Sequence, residues 1–362
     1  MPIELERRSE PSRAMMLASP AIAVVLTIAA AAALLAAVGV NPLRGLAVYF
    51  IEPLGTSWSL QELAVKASPL VMIAVGLAVC FRANTWNIGA EGQYLAGAML
   101  GGWFALAYHA TGAWWVLPGM LLLGALGGVL YALLPAVLRV LFGASEILTS
   151  LMLVYVAQFA LDYLVRGPWR DPHGFNFPQT VTFEPAATMP LLLSGGRLHV
   201  GVLLALLAVA VAVVFLGTTL RGFELRVVGM APRAGRFAGF DDRRDILLAF
   251  AVSGALAGLA GIIEVAGPIG QLLPNLSPGY GFAAIIVAFL GRLNPLGILV
   301  AGFVLALSYL GGEQAQIALR VPLDLTIVLQ GVLLFCVLAC DTLILYRVRL
   351  LRLRHRTVPG VP

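Results

Sequence analysis

The chain has 362 residues, of which 60% are hydrophobic and only 11% are charged, and its mean hydropathy is +0.94. Soluble domains usually carry about 25% charged residues, so these values exclude an ordinary soluble fold. The net charge of +5 does not require a nucleic-acid partner, because membrane topology and anionic lipid head groups account for the distribution of the basic residues.

Long stretches of the sequence carry no Asp, Glu, Lys or Arg. Each is as long as, or longer than, the roughly 20 residues that a helix needs to cross a bilayer. The apolar residues are continuous rather than alternating, which favours helices over a barrel. The sequence therefore predicts an all-α, polytopic integral membrane protein. These stretches are 14–43, 92–138, 198–220, 265–291 and 293–312.

Dividing the apolar runs at their charged and turn-forming interruptions predicts about ten transmembrane helices. The predicted helices are 17–40, 67–82, 88–108, 113–140, 145–165, 198–217, 245–265, 280–292, 295–312 and 322–346. Four of them lie between the first helix and a long loop at 166–197, and four follow a long loop at 218–244. This arrangement is consistent with a 1+4+1+4 plan containing an inverted repeat.

The basic residues predict the orientation. Seventeen of the 23 arginines and lysines fall on one side of the ten-helix arrangement and six on the other, and basic residues prefer the cytoplasm. Both termini are therefore expected inside. The chain is interpreted as one transmembrane domain, 1–362. Its non-membrane parts are a cytoplasmic tail (1–16), an extracytoplasmic loop (166–197), a cytoplasmic loop (218–244) and a second cytoplasmic tail (347–362).

Several kinds of chemistry have no residues to support them. The sole lysine, Lys66, follows Val65, so no G-x-x-x-x-G-K-[ST] phosphate loop exists and any ATP must be bound by a partner. The three cysteines are too few and too apolar in setting for a disulfide framework, and the four histidines have no metal-ligand spacing. No nucleophile and base pattern indicates an enzyme. We expect neither a metal site nor a cofactor.

The cytoplasmic loop contains a segment rich in small residues. Between Val227 and Phe240 it can form one to three helical turns, and small residues allow another protein to approach the backbone closely, while arginines pair with acidic groups at the rim. The alternative is an ordinary basic loop that obeys the orientation rule. The candidate coupling residues are Gly229, Met230, Ala231, Pro232, Arg233, Ala234, Arg236, Ala238 and Gly239.

Polar residues also lie at membrane depth in the sequence FRANTWNIGAEGQYLAGAML, 81–100. Ionisable groups there are costly and mark a pathway or a site by default. Asn87 and Glu91 are four residues apart and are expected to share a helix face, with Gln93 beside them and Tyr94 as a stacking surface for a solute. The alternative is that Glu91 only fixes helix packing, through a neighbouring backbone group or Arg82.

These segments together resemble the permease subunits of bacterial ABC importers of the branched-chain amino acid and simple-sugar superfamily, especially its nucleoside-type branch. The resemblance extends over most of the chain and is carried, in order, by NPLRGL (41–46), FRANTWNIGAEGQ (81–93), SEILTSLM (145–152), LRVVGMAPRAGRFAGF (225–240), GYGFAAIIVAFLGRLNPLG (279–297) and QGVLLF (330–335). It implies a pore of two permease subunits, two cytoplasmic ATPase subunits and an extracytoplasmic solute-binding protein. It also implies that 225–240 docks on the ATPase.

The expected function is therefore ATP-driven import of a small polar solute, a nucleoside or simple sugar, across the bacterial inner membrane by alternating access. ATP hydrolysis would belong to the separate ATPase subunit. The alternative from the residues alone is a stand-alone ion-coupled transporter, which needs titratable carboxylates deep in several helices. Only Glu91 lies deep, whereas Asp162 and Asp324 lie near the outer ends of the predicted helices.

Overall fold

The computed structural model describes residues 3–7, 13–193, 195–322 and 324–350, and every structural statement below concerns that part of the chain. The helices are α1 (Arg13–Ala37), α2 (Pro42–Leu46), α3 (Ser57–Arg82), α4 (Ala90–Ala107), α5 (Val116–Phe142), α6 (Glu146–Arg166), α7 (Gly201–Thr218), α8 (Leu220–Met230), α9 (Pro232–Phe237), α10 (Asp242–Glu264), α11 (Tyr280–Leu290), α12 (Pro295–Leu319) and α13 (Asp324–Leu345). Single π-helical turns lie at Ala47–Ile51 and Val265–Ile269, and 3-10 turns at Glu52–Leu54 and Pro185–Ala187.

Two short strands near the termini were not predicted from the sequence. β1 (Ile3–Arg7) pairs antiparallel with β2 (Tyr346–Leu350), and Ile3 lies opposite Leu350. Both segments alternate apolar and charged residues, IELER and YRVRL, which is the two-residue period of a strand. The tails therefore add a two-stranded ribbon to a chain whose apolar segments are all helical. Residues 1–2, 8–12 and 351–362 of the predicted tails lie outside the described part.

The chain divides into two compact units. One comprises Met1–Leu46 and Asp324–Pro362, in which α1 packs against α13. The other, Ala47–Leu323, contains α3 to α12 and carries the candidate site. In this larger unit α3 is the central helix, because 89% of its most apolar window is buried.

Each of the ten predicted apolar segments contains a helix. Among the described residues, six stretches are long and apolar enough to cross a bilayer: Ser57–Arg82, Val116–Phe142, Glu146–Arg166, Gly201–Thr218, Asp242–Ile269 and Pro295–Leu319. Shorter apolar helices lie at Ala21–Ala37, Tyr280–Leu290 and Ile327–Val337. These helices confirm a polytopic helical membrane protein. The number of ten crossings, the cytoplasmic termini and the inverted repeat stay predictions.

The start of α3 differs from the prediction by ten residues. The apolar run suggested a helix from residue 67, whereas α3 begins at Ser57, where the Thr56 side chain accepts a hydrogen bond from the backbone N–H of Ser59. The additional turns carry polar residues that bind distant partners. Lys66 Nζ lies 2.8 Å from Glu313 Oε1 of α12, and Glu62 Oε1 lies 3.6 Å from Arg197 Nε.

Glycines bring the helices of the larger unit into backbone contact. Gly97 of α4 faces Gly258 of α10, and Gly128 of α5 faces Gly254 and Gly258, so closely that an added Cβ would overlap the opposite backbone. Small residues at such positions allow the close approach that stabilises helix pairs in membranes. α4, α5 and α10 therefore form one tightly packed group.

The long loop at 166–197 is attached to the segment that follows α10. The backbone N–H of Thr180 donates to Leu272 O (3.2 Å), that of Phe183 to Gly270 O (2.8 Å) and that of Met189 to Ala266 O (2.7 Å). The side chains of Phe183 and Met189 are buried. These bonds hold 266–272 in place, and the same segment leads into the start of α11.

Candidate functional site

The helical structure is interrupted between α3 and α4, in the interior of the larger unit, and we call this interruption the break. α3 ends at Arg82, Asn84 has a positive φ of 52°, and α4 begins only at Ala90. The break contacts Ser253, which is in the middle of the 23-residue α10. Non-helical backbone at such depth is tolerated only where protein or a cavity satisfies its polar groups.

The side chain of Asn87 stabilises this break through four hydrogen bonds. Its amide nitrogen donates to Gln93 Oε1 and to Ser253 Oγ, both at 3.0 Å. Its amide oxygen accepts from the N–H of Gly89 (3.1 Å) and from Gln93 Nε2 (2.9 Å). Asn87 and Gln93 are almost completely buried. Both side chains therefore stabilise the start of α4.

The expected common helix face of Asn87 and Glu91 is not formed. Asn87 lies in the irregular segment before α4, and only Glu91 is in the first turn of the helix. The reason is that the Asn87 side chain bonds the backbone of Gly89 and the side chain of Gln93, which competes with helix continuation as Asn side chains often do.

Glu91 joins two helix starts. Its Oε2 accepts a hydrogen bond of 2.5 Å from the backbone N–H of Gly281, the second residue of α11, and the Ser277 side chain also bonds to its carboxyl group. A Cβ at Gly281 would overlap the backbone of Glu91. The N-termini of α4 and α11 therefore meet at one carboxyl group, where the positive ends of helix dipoles favour it.

A cavity of about 180 Å³ lies beside Glu91. Three segments distant in sequence form its walls, namely the first turns of α4, the middle of α6, and residues 274–282. Its lining residues are Glu91, Leu95, Val154, Tyr155, Gln158, Pro274, Asn275, Leu276, Ser277, Gly279 and Phe282. In the described part of the chain, Glu91 is thus the one predicted pathway residue that reaches the cavity.

The cavity opens on the surface of the larger unit. Tyr155 is 50% exposed and Phe282 is 40% exposed, and Gln158 is also exposed. Gln158 lies in the middle of α6, a helix apolar enough to cross the membrane. An exposed amide at this depth is costly against lipid, so this face of α6 is expected to meet water or another protein.

Tyr94 lies near the cavity but does not line it. Its side chain is completely buried, its ring meets that of Tyr280 edge-on at 6.2 Å, and its hydroxyl has no hydrogen-bond partner among the described residues. Tyr280 in turn meets Tyr309 at 5.6 Å. Tyr94 therefore packs the start of α11 against α4, and it offers no face for stacking on a solute in this conformation.

The predicted coupling segment forms the end of α8, a break at Ala231 and the short helix α9. Met230 is 81% exposed and Phe237 is 97% exposed. Gly229 instead faces the interior, because a Cβ there would overlap the backbone of Arg82, and Arg236 Nε lies 2.9 Å from Asp242 Oδ2. The remaining members, Ala231, Pro232, Arg233, Ala234, Ala238 and Gly239, are exposed.

Sequence reasoning missed several residues of these two regions. Phe237 lies within the candidate coupling segment, between Val227 and Phe240. An aromatic residue next to small residues in a sequence is a sign of a protein–protein contact. Gln158, Asn275 and Phe282 gave a weaker signal, because nothing local shows that they meet Glu91.

Comparisons with known proteins agree with this architecture. A sequence profile described as "Branched-chain amino acid transport system / permease component" matches residues 59–338. The glucose ABC transporter permease protein TsgB13 of Haloferax volcanii is 36% identical, over 96% of this chain and 94% of its own length. The nucleoside ABC transporter permease protein NupB of Lactococcus lactis is 32% identical, over 81% and 82% respectively. No solved structure matches the chain significantly.

The apolar helices define the class, a multi-pass membrane protein. The profile covers most of the chain, so the chain belongs to the branched-chain amino acid transport permease family. The guanosine ABC transporter permease protein NupP of Bacillus subtilis is a further relative, 29% identical over 87% of this chain and 91% of its own length. The resemblance to importer permeases noted from the sequence is thereby confirmed.

Proposed function

We propose that the chain is a pore-forming permease subunit of an ATP-driven ABC importer in a bacterial inner membrane. The observation that carries the proposal is the meeting of two half-helices at Glu91, beside a cavity, in a member of an importer permease family. Discontinuous helices whose ends meet are a common way to build a transport site in the interior of a membrane protein. Alternating access would then expose the cavity to one side of the membrane at a time.

The solute is proposed to be a nucleoside or a simple sugar. The names of the relatives mention glucose, nucleosides and guanosine. Glu91 is proposed to contact the solute, whereas Asn87, Gln93 and Tyr94 are proposed to position the start of α4. A pathway that binds its solute weakly is expected, since a solute held tightly could not leave.

ATP would be bound by separate cytoplasmic ATPase subunits, because the chain has no phosphate loop. The segment Met230–Gly239 is proposed to dock on the ATPase. Exposed aromatic and Met side chains are typical of the energetically dominant residues of protein interfaces, and Met230 and Phe237 both project from this segment. A second permease subunit and an extracytoplasmic solute-binding protein complete the proposed assembly.

A pull-down tests the docking segment. Tagged parent protein, purified from membranes of its native host, should retain an ATPase that mass spectrometry recognises by its phosphate-loop motif. Phe237→Ser should reduce the recovered ATPase about tenfold or more, since loss of an interface aromatic often costs 2 kcal/mol or more.

The matched control is Phe175→Ser. Phe175 is 93% exposed but lies on the loop at 166–197, which is proposed to be extracytoplasmic, so this variant should retain the ATPase fully. Equal recovery with Phe237→Ser and Phe175→Ser would contradict the proposed docking site. A stable parent protein that transports without an ATPase would instead favour the ion-coupled alternative.

A further inference from the structure

The cavity beside Glu91 has an unusual balance of polar groups. It presents one carboxyl group, two amides (Gln158 and Asn275) and two hydroxyls (Tyr155 and Ser277). Among the described residues that line it there is no Arg, Lys or His. The cavity therefore offers hydrogen bonds to a ligand but no cationic side chain, and the positive ends of the α4 and α11 dipoles already face the Glu91 carboxyl group.

An anion would be strongly disfavoured in this setting. It would lose hydration without gaining a counter-charge, and burial of an unpaired charge is among the most costly events in a protein. An ionised Glu91 would in addition repel the anion. If Glu91 were neutral, the charge of the anion would still have no cationic side chain beside it.

A neutral solute meets no such penalty. Oε2 of Glu91 is held by the Gly281 N–H, so the other carboxyl oxygen can accept from a hydroxyl or N–H of the solute. The amides of Gln158 and Asn275 can donate and accept. Tyr155 and Phe282 add aromatic surface. The cavity volume of about 180 Å³ corresponds to roughly six water molecules, which is enough for one ring of a solute.

We propose that this cavity binds a ring of an uncharged, hydroxyl- or N–H-bearing solute and rejects the phosphorylated form of the same solute. Gln158 is the specificity residue, because it is the exposed amide of α6 at the cavity and no packing role in the described structure accounts for it. The proposal rests on the proposed permease function. It adds a selection step within the permease itself, independent of any binding protein.

Protection of a cysteine from labelling tests the proposal on the purified full-length chain in nanodiscs. The reporter is Asn275→Cys in a Cys336→Ser background, since Cys80 and Cys340 are buried, and the label is uncharged N-ethylmaleimide. Uridine and glucose should slow labelling. Uridine 5′-monophosphate and glucose 6-phosphate should need at least about tenfold higher concentrations for the same protection, because an uncompensated charge costs more than 1.4 kcal/mol.

A variant that adds a positive charge to the cavity tests the same proposal in the opposite direction. Adding Gln158→Arg to the reporter supplies the missing positive charge, so the two phosphorylated probes should now protect at least as well as the neutral ones. Tyr155→Cys serves as a second cavity reporter if Asn275→Cys does not fold. Tyr163 lies on the same helix but outside the cavity and is 71% exposed. None of the probes should therefore protect Tyr163→Cys from labelling.

Two results would overturn the proposal. One is equal protection of the parent reporter by neutral and phosphorylated probes, and the other is no protection by either neutral probe. Neither result affects the recovery of the ATPase with the tagged parent, which tests the permease assignment separately. Failure of the ATPase pull-down together with normal solute protection would reject the proposed coupling and keep the selectivity of the cavity.

Discussion

His199 is a buried residue whose ionisation is expected to affect the stability of the protein. It lies two residues before α7, is 1% exposed, and accepts a hydrogen bond at Nδ1 from the N–H of Gly201 (3.1 Å). Its Nε2 has no hydrogen-bond partner in the described structure, and Gly267 packs closely against the ring. Burial lowers the pKa of His199 to about 4, so the ring is neutral in the folded protein near pH 7.

This residue should make the protein acid-sensitive. The unfolded chain binds a proton near pH 6.5, whereas the folded chain resists protonation until about pH 4. Stability is therefore complete above pH 6.5 and should fall as the pH decreases to 4, by about 3 kcal/mol in total. The melting temperature of the purified protein, measured between pH 7.5 and 4, checks this.

His199→Gln is the comparison variant, because its side-chain oxygen can accept from the Gly201 N–H but does not titrate. Its melting temperature should decline less steeply between pH 6.5 and 4 than that of the parent. Identical slopes for the two proteins would show that His199 is not the source of the acid sensitivity.

At the scale of elements, the junction of α4 and α11 depends on a glycine. Gly281 lets the start of α11 touch the backbone of Glu91, so Gly281→Ala must separate the two half-helices. We expect uptake to fall at least about tenfold, because small misplacements of a binding group are costly, while the ATPase is still recovered. Uptake of radiolabelled solute by cells that express the complete importer is the measurement.

Gly217→Ala is the matched control. It is also a helical glycine, in α7, but an added Cβ would meet no atom within 4 Å. This variant should transport normally. Normal transport by Gly281→Ala as well would mean that contact between the half-helices is not needed for function.

The elements also show how far the sequence could predict the fold. Continuous apolar runs located ten helices, since the bilayer requirement is strong and local. The same criterion placed the start of α3 ten residues too late, because Glu62 and Lys66 are stabilised by Arg197 and Glu313. Partners so distant in sequence leave no local pattern.

The candidate site shows the same limit. Glu91 could be identified because an acidic residue in an apolar segment is costly and therefore informative. The break before α4 could not be predicted fully, since one of the hydrogen bonds that Asn87 forms there goes to Ser253 of α10, which is distant in sequence. The cavity combines residues of α4, α6 and 274–282, a combination that only tertiary structure reveals.

At the scale of the whole molecule, the larger unit links its two faces to the cavity. The loop at 166–197 is bonded to 266–272, which leads to Gly281 and Glu91. On the other side, Gly229 of the coupling segment packs against Arg82 at the end of α3, which precedes the break at Asn87. A force applied at Phe237 could therefore reach the cavity through packed backbone, without any nucleotide bound to this chain.

Reconstituted uptake tests this central claim most directly. Proteoliposomes containing the chain with its second permease and ATPase subunits, supplied with the solute-binding protein and solute, should accumulate solute only when ATP is present on the ATPase side. A hydrolysis-deficient ATPase should abolish accumulation. Accumulation by the chain alone, driven by a proton or sodium gradient without ATP, would contradict the account.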